Sequence, residues 1–362
     1  MTRNLLSFIP PKWCSKLSPI PSHFVKLGHL NTPIEKWKLP NIPKEFKVDI
    51  KRDDMTGSTL SGNKVRKLEF LLADAIKKGC KHVITCGSIQ SNFARSTAVA
   101  SAQLGLNCHL FLRSTELDSS NLQIDGNVLV EKLCGANIYL IPKSSQYEKG
   151  IKPKMERLAL QIREQKGETS YLIPVGGSDI VGLYGYITAF DEMVSQGLLE
   201  QYDDIVFACG SGGTAAGLAI ANYLNQSTIK IHAVTVCDNK KYFTDHINAT
   251  LDAVGLGDFV RADQIVNLID GYKGLGYGLS TPKELEFIQA VSRETGIILD
   301  PCYSGKAAYG LTKELQSNHH TFQGNRILFI HTGGIFSLFD GKMGTFLKDS
   351  CKNEPDVLES FR

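Results

Sequence analysis

From about residue 80, short runs of β-branched and aromatic residues alternate with longer segments whose apolar positions recur at helical spacing. His82-Val83-Ile84-Thr85-Cys86 predicts a strand, residues 91–104 a helix, and Cys108-His109-Leu110-Phe111-Leu112 the next strand. The alternation continues with a helix over 127–134, a strand at 138–141, a helix over 154–165 and a strand at 171–173. A second series follows Pro174-Val175-Gly176-Gly177: helix 184–194, strand 205–208, helix 214–224, strand 231–236, helices 283–295 and 306–316, and strand 327–330. Such alternation implies βαβ crossovers and parallel sheets, here in two α/β units with a boundary near residue 175. Nothing resembles a tandem repeat or a low-complexity tract.

One further helix starts in Leu60-Ser61-Gly62-Asn63-Lys64-Val65-Arg66-Lys67-Leu68-Glu69, where Leu68, Leu71 and Leu72 recur at helical spacing. Lys64 stands at its beginning. The positive end of the helix dipole favours the neutral amine there by about 0.3–1 kcal/mol, and a lysine that loses its proton readily suits bonding to a carbonyl carbon. The segment alone suits a solvated lysine in a basic helix start equally well.

With 42% hydrophobic and 21% charged residues the chain reads as an ordinary globular protein. The net charge of +3 arises from 40 basic and 37 acidic residues that form no block, so no nucleic-acid footprint is expected and small-molecule chemistry is. The 9 cysteines, Cys351 included, contain no C-x-x-C pair and lie mostly in apolar runs. They are expected to be reduced thiols, not a disulfide frame or a metal site. Asn318-His319-His320 is likewise too short for a metal site. No apolar stretch reaches the roughly 18 residues of a membrane span. No acid precedes Glu35, as in a mitochondrial leader, but prolines 10, 11, 19, 21 and 33 interrupt any amphipathic helix, so a cytoplasmic location is expected.

Several strand-to-helix turns carry chemistry. Cys209-Gly210-Ser211-Gly212-Gly213-Thr214 lets backbone N–H groups curl round an anion at a helix N-terminus, which suits a phosphate. The run through Ala215 also satisfies G-x-G-x-x-A, with Asp238 after the next strand, so a dinucleotide site is the other reading. Gly87-Ser88-Ile89-Gln90-Ser91-Asn92 is able to present a hydroxyl, an amide and N–H groups to a carboxylate, or Ser91 simply caps the helix. Gly271-Tyr272-Lys273-Gly274-Leu275-Gly276-Tyr277-Gly278 predicts a loop. Asp300-Pro301-Cys302-Tyr303-Ser304-Gly305-Lys306 ends an apolar run and begins a helix.

Taken in order, S-G-N-K-V-R-K-L-E-F, G-S-I-Q-S-N, G-S-G-G-T, G-Y-G, D-P-x-Y-S-G-K-A and H-T-G-G resemble the pyridoxal-phosphate enzymes that include D-cysteine desulfhydrase and 1-aminocyclopropane-1-carboxylate (ACC) deaminase. The likeness extends from about Pro19 to about Gly334. It implies fold type II: two open, twisted, mostly parallel sheets with the active site in the cleft between them. It also implies a large cofactor-binding domain of residues 1–66 with 175–362, a smaller one of 67–174, and a homodimer. Lys64 becomes the lysine bonded to pyridoxal 5'-phosphate, with Asn63 and Lys67 beside it. Gly210, Ser211, Gly212, Gly213 and Thr214 form the phosphate cup, and Asn92 meets the cofactor's phenolic oxygen. Gln90, Ser91, Asn92 and Thr332 bind substrate. Lys64, Ser91, Tyr277 and Tyr303 are implied to be catalytic, and Ser304 to meet the pyridine nitrogen. Where the family commonly has histidine or glutamine after Ser-Asn, this chain has Phe93, which puts substrate selection or turnover in doubt.

Among such enzymes those that open the cyclopropane ring carry glutamate at the position of Ser304 and leucine at that of Thr332. A serine supplies no charge to keep the pyridine nitrogen protonated, which β-elimination of a thiol tolerates better than ring opening does. The resemblance therefore implies a lyase that degrades D-cysteine to pyruvate, hydrogen sulfide and ammonia. ACC deamination is the alternative, followed by another D-amino-acid lyase or racemase, or cofactor binding without turnover.

Overall fold

The structure is a computed structural model that describes residues 4–350; Cys351 lies outside them. The chain opens with an antiparallel pair, β1 (Leu5–Ser7) and β2 (His23–Val25). A second antiparallel pair follows, β3 (Ile34–Lys36) and β4 (Lys47–Lys51), before helix α1 (Lys64–Lys77). Next come β5 (His82–Ser88), α2 (Asn92–Leu104), β6 (Asn107–Ser114), α3 (Gly126–Leu133), β7 (Asn137–Pro142), α4 (Lys152–Lys166) and β8 (Ser170–Leu172). The remainder is α5 (Tyr184–Ser195), the single turn α6 (Leu198–Gln201), β9 (Asp204–Cys209), α7 (Gly213–Leu224), β10 (Lys230–Thr235), α8 (Lys240–Ala253), the single turn α9 (Ala262–Ile265), β11 (Asn267–Ile269), α10 (Pro282–Thr295), α11 (Ser304–Ser317), β12 (Arg326–Ile330) and α12 (Lys342–Ser350).

Besides the β1–β2 pair, two larger sheets result among the described residues, as the alternation implied. One is 4-stranded, in the order β7-β6-β5-β8, with every pair parallel. The other is 6-stranded, in the order β11-β10-β9-β12-β4-β3, and only its β3–β4 edge is antiparallel. The second sheet thus takes β3 and β4 from the start of the chain and lays β4 beside β12 near its end. β4 escapes a hydrophobic reading because Lys47-Val48-Asp49-Ile50-Lys51 carries charge at every second position. Among the described residues no helix is long and apolar enough to cross a membrane.

Helix α1 is buried nearly all round because it packs against β2 and α5 on one side and α2 on the other. Leu68, Leu71 and Leu72 are fully buried, each contributing about 1.5–3 kcal/mol by leaving water. Arg66, Lys67 and Glu69 on this helix are buried as well, and each has partners. Glu69 Oε1 accepts from the Leu27 and Gly28 N–H groups at 2.8 and 3.0 Å. Arg66 donates to Asp53 through Nε (3.0 Å) and Nη2 (2.8 Å), and to Glu192 through Nη1 (2.8 Å). Tyr186 donates to Asp53 Oδ2 at 2.7 Å, and Lys51 pairs with Glu192 at 2.5 Å. This network joins β4, α1 and α5 directly behind the residue that begins α1.

Candidate active site

A narrow cavity opens where the C-terminal ends of the strands meet, and Lys64, Asn63, Asn92, Gly210, Ser211, Gly212, Thr214, Tyr303 and Thr332 line it. Lys64 is half-buried, and desolvation lowers its amine to about 8. Burial is the largest cause of that lowering. The loop that carries it is fixed to the last strand's loop backbone to backbone, since Asn63 N donates to Thr332 O at 3.1 Å. A Cβ on Gly333 would lie 2.5 Å from Gly62 Cα, so only glycines allow these two loops to touch.

The glycine turn between β9 and α7 forms a cup. Gly212 has φ 86°, and no side chain caps α7, whose first N–H groups point into the turn. Lys67 lies fully buried behind the cup, with Nζ donating to Gly176 O at 3.3 Å. Desolvation first, and Lys64 second, push its amine well below the ordinary lysine value. A Cβ on Gly213 would come within 3.0 Å of Lys67 Nζ. A buried lysine amine with one carbonyl partner beside an uncapped helix start suits a phosphate dianion, whose charge would favour the protonated amine. On the opposite wall Asn92 Oδ1 is buried with no hydrogen-bond partner, an orphan that a cofactor's polar group would satisfy.

Behind Tyr303, its Oη lies 2.5 Å from Tyr277 Oη, and Ser88 Oγ donates to Tyr277 at 3.1 Å. Ser91 caps α2, accepting from Ala94 N at 3.2 Å, so the capping alternative is what its oxygen does here.

Three expectations are corrected. The Gln90 amide does not face the cavity: Nε2 donates to Asp125 Oδ1 at 2.7 Å and Oε1 accepts from Asn127 N at 2.8 Å, so it holds the start of α3. Ser304 is fully buried and outside the cavity lining. Its hydroxyl donates to Asp300 Oδ1 at 2.7 Å and accepts from Asp300 N at 2.9 Å, because Asp300 caps the start of α11. Phe93 does not replace a polar group in the site. One residue along α2 from Asn92 turns the side chain by about 100°, and Phe93 is buried among Leu68, Leu71, Leu72 and Ile173. Phe93→His is accordingly expected to bury an imidazole without a partner and cost about 2–4 kcal/mol of stability, read as a lower urea midpoint at pH 8.

Sequence reasoning missed Ser178 and His246. Ser178 Oγ donates to Ser211 O at 2.9 Å, and its one hydrogen being used, it accepts from His246 Nε2 at 2.9 Å. Burial, with Lys67 second, lowers the His246 imidazole. A Cβ on Gly212 would lie 2.4 Å from His246 Cδ2, so this pair braces the cup from outside. The Pro174–Gly177 turn announced a loop, but nothing in its pattern marked Ser178, and α8 was not read as a helix.

A half-buried lysine with a lowered amine, facing an anion cup in a two-sheet cleft, defines an enzyme that works through a phosphorylated carbonyl cofactor. The chain belongs to the pyridoxal-phosphate dependent enzymes, whose family pattern matches residues 25–333, and pyridoxal phosphate is its cofactor. The dinucleotide reading of the glycine turn falls with that. The chain is 47% identical over 338 residues, 92% of its length and 83% of the relative's, to a mitochondrial bifunctional D-cysteine desulfhydrase/ACC deaminase of Arabidopsis thaliana. It is 38% identical to a putative ACC deaminase of Thermotoga maritima, over 85% of this chain and 95% of that one. The crystal structure of an ACC deaminase homologue superposes with a TM-score of 0.80 at 35% identity, covering 94% of this chain and 99% of the other.

Proposed function

We propose that this enzyme is a carbon–sulfur lyase that converts D-cysteine and water to pyruvate, hydrogen sulfide and ammonia. The observation that carries the substrate is the cavity wall: no carboxylate lines it among the described residues, and Thr332 supplies a hydroxyl there. A site without a carboxylate offers weak support for a protonated pyridine nitrogen. Removing an α-proton and expelling a thiolate asks less of that nitrogen than opening a ring that has no α-hydrogen.

Pyridoxal phosphate, when bound, supplies the electron sink. The Gly210–Thr214 turn and Lys67 would hold its phosphate, and Asn92 its phenolic oxygen. Lys64, poised near neutrality, would move the proton at the substrate's Cα. Tyr303, backed by Tyr277, would serve the other face, and Ser91 would meet the carboxylate through its hydroxyl hydrogen. Gln90 would support that end indirectly, through Asp125 and Asn127. Residues 1–66 with 175–362 would form the large unit and 67–174 the small one. The enzyme would act as a homodimer in the cytoplasm, whereas the Arabidopsis relative's name places that protein in mitochondria.

D- and L-cysteine, D-serine and ACC, each assayed for keto acid and ammonia, test the substrate. D-cysteine is expected to exceed ACC in kcat/KM by about tenfold or more. A preference for ACC overturns the reading in favour of the deaminase, a second reading that Thr332 argues against. Cofactor binding with no turnover of any of them overturns both.

A further inference from the structure

The glycine-rich loop between β11 and α10 carries Tyr277, and few of its side chains reach the core. Leu275 and Leu279 are 69% and 41% exposed, so they gain little by leaving water. The two ends of the loop are tied down. Tyr272 Oη donates to Glu314 Oε1 at 2.6 Å, and Ser280 Oγ to Pro301 O at 2.8 Å. Between them Lys273 O, Gly276 O and Leu279 O converge on one atom, Lys306 Nζ, at 2.6, 2.9 and 2.8 Å. Gly276, at φ 132°, adopts the turn that brings its carbonyl inward.

Lys306 is fully buried in the first turn of α11, three residues beyond Tyr303. Neither circumstance suits a cation, since burial and the positive end of a helix both disfavour its charge. Burial lowers the amine, and Glu284 of α10 is the largest influence raising it. The loop carbonyls account for a lysine in such a place. An ammonium has three hydrogens for these three acceptors, whereas a neutral amine would leave one contact without a hydrogen. Conversely, carbonyls deprived of the ammonium regain partners by opening to water. Tyr277 Oη lies 2.5 Å from Tyr303 Oη, and burial pushes both phenols up, so both stay protonated and position alone sets their contact. We propose that Lys306 is a positioning residue: its ammonium, seated among three carbonyls of the 273–279 stretch, holds that loop against α11 and thereby keeps Tyr277 on Tyr303. Tyr303 stands at the start of the same helix, so one side chain fixes the second tyrosine relative to the first.

Lys306 acts here through the tyrosine roles proposed above, and the experiment separates the two. Enzyme reduced with borohydride, whose cofactor no longer reacts with added amines, is digested with chymotrypsin, and cleavage after Tyr277 is followed by peptide mapping. Lys306→Met, which keeps the buried length of the side chain but has no hydrogen to donate, is expected to speed that cleavage about tenfold. Lys306→Ala should do the same. Addition of n-propylammonium, which supplies the missing atoms, should slow it again in the alanine protein and not in the methionine one. In unreduced enzyme Lys306→Met should lower kcat for D-cysteine about 10- to 100-fold with KM within about threefold. In a Tyr277→Phe background the same change should lower kcat by less than about twofold further. Unchanged cleavage in both variants, cleavage that ignores the amine, or a urea midpoint that drops along with it overturns the proposal, as does a kcat loss that multiplies with that of Tyr277→Phe. If the unaltered enzyme releases no sulfide from D-cysteine while cleavage behaves as stated, the substrate reading fails and the placement of Lys306 stands.

Discussion

Lys64→Ala is expected to lower kcat for D-cysteine by on the order of 10³-fold or more, because in the function proposed here one side chain would supply both the covalent hold on the cofactor and the base at Cα. Folding should be little affected. Lys64 is half-buried, opens onto the cavity and gains no stability from an amine that desolvation has lowered to about 8. Borohydride treatment of the unaltered protein, followed by peptide mapping, should fix the pyridoxyl group on Lys64. The alanine variant should lose that label and the yellow colour while keeping its urea midpoint within about 0.5 kcal/mol. Label on another lysine would remove Lys64 from its role. Lys67 is the one to watch, being fully buried beside the cup.

The largest expected effect on stability is at Asp53. Asp53→Ala leaves Arg66 and Tyr186 buried with fewer acceptors and should cost about 3–5 kcal/mol. Acid titration gives an independent check. Burial alone would raise the Asp53 carboxyl, but Arg66, Lys51 and Tyr186 together hold it below its ordinary value. A depressed folded value means that the stabilisation is complete above the unfolded value of about 3.9 and is lost as pH falls through the lower folded one. Glu192, also lowered, behaves the same way. The unaltered protein should therefore lose stability steeply below about pH 4, and Asp53→Ala should flatten that limb. Unchanged acid limbs in urea titrations at several pH values would show that the network is not what couples folding to pH.

Much of this architecture is written in runs of Val, Ile, Leu and Phe. Residues 205–208 and 327–330 are apolar without a break because parallel strands are covered on both faces. β4 is not legible that way, since Lys51 is buried only by virtue of Glu192, Gln196 and Thr32, none of them near it in sequence. α8 begins Lys240-Lys241-Tyr242 and buries only Phe243, Ile247 and Leu251, so its polar surface hid the helix and with it His246. The glycine cup and Lys64 were legible because backbone conformation and helix starts leave local signatures. The directions of Gln90, Phe93 and Ser304 were not. They are decided by which face of a helix meets the core and by partners such as Asp125 and Asp300.

The contact of Gly62 with Gly333 has a bearing on how the protein is made. A ribosome releases the Lys64 loop early, yet the carbonyl that anchors it, Thr332 O, emerges some 270 residues later. At about 5–20 residues per second that is an interval of roughly 15–50 s, during which the 4-stranded sheet, whose strands all lie between residues 82 and 172, is free to form first. The lysine loop must wait for the far end of the chain. A nascent chain halted before β12 would carry its lysine and its glycine turn but no floor beneath them, so competence to hold the cofactor should appear abruptly, only once the strand and the H-T-G-G turn have left the exit tunnel.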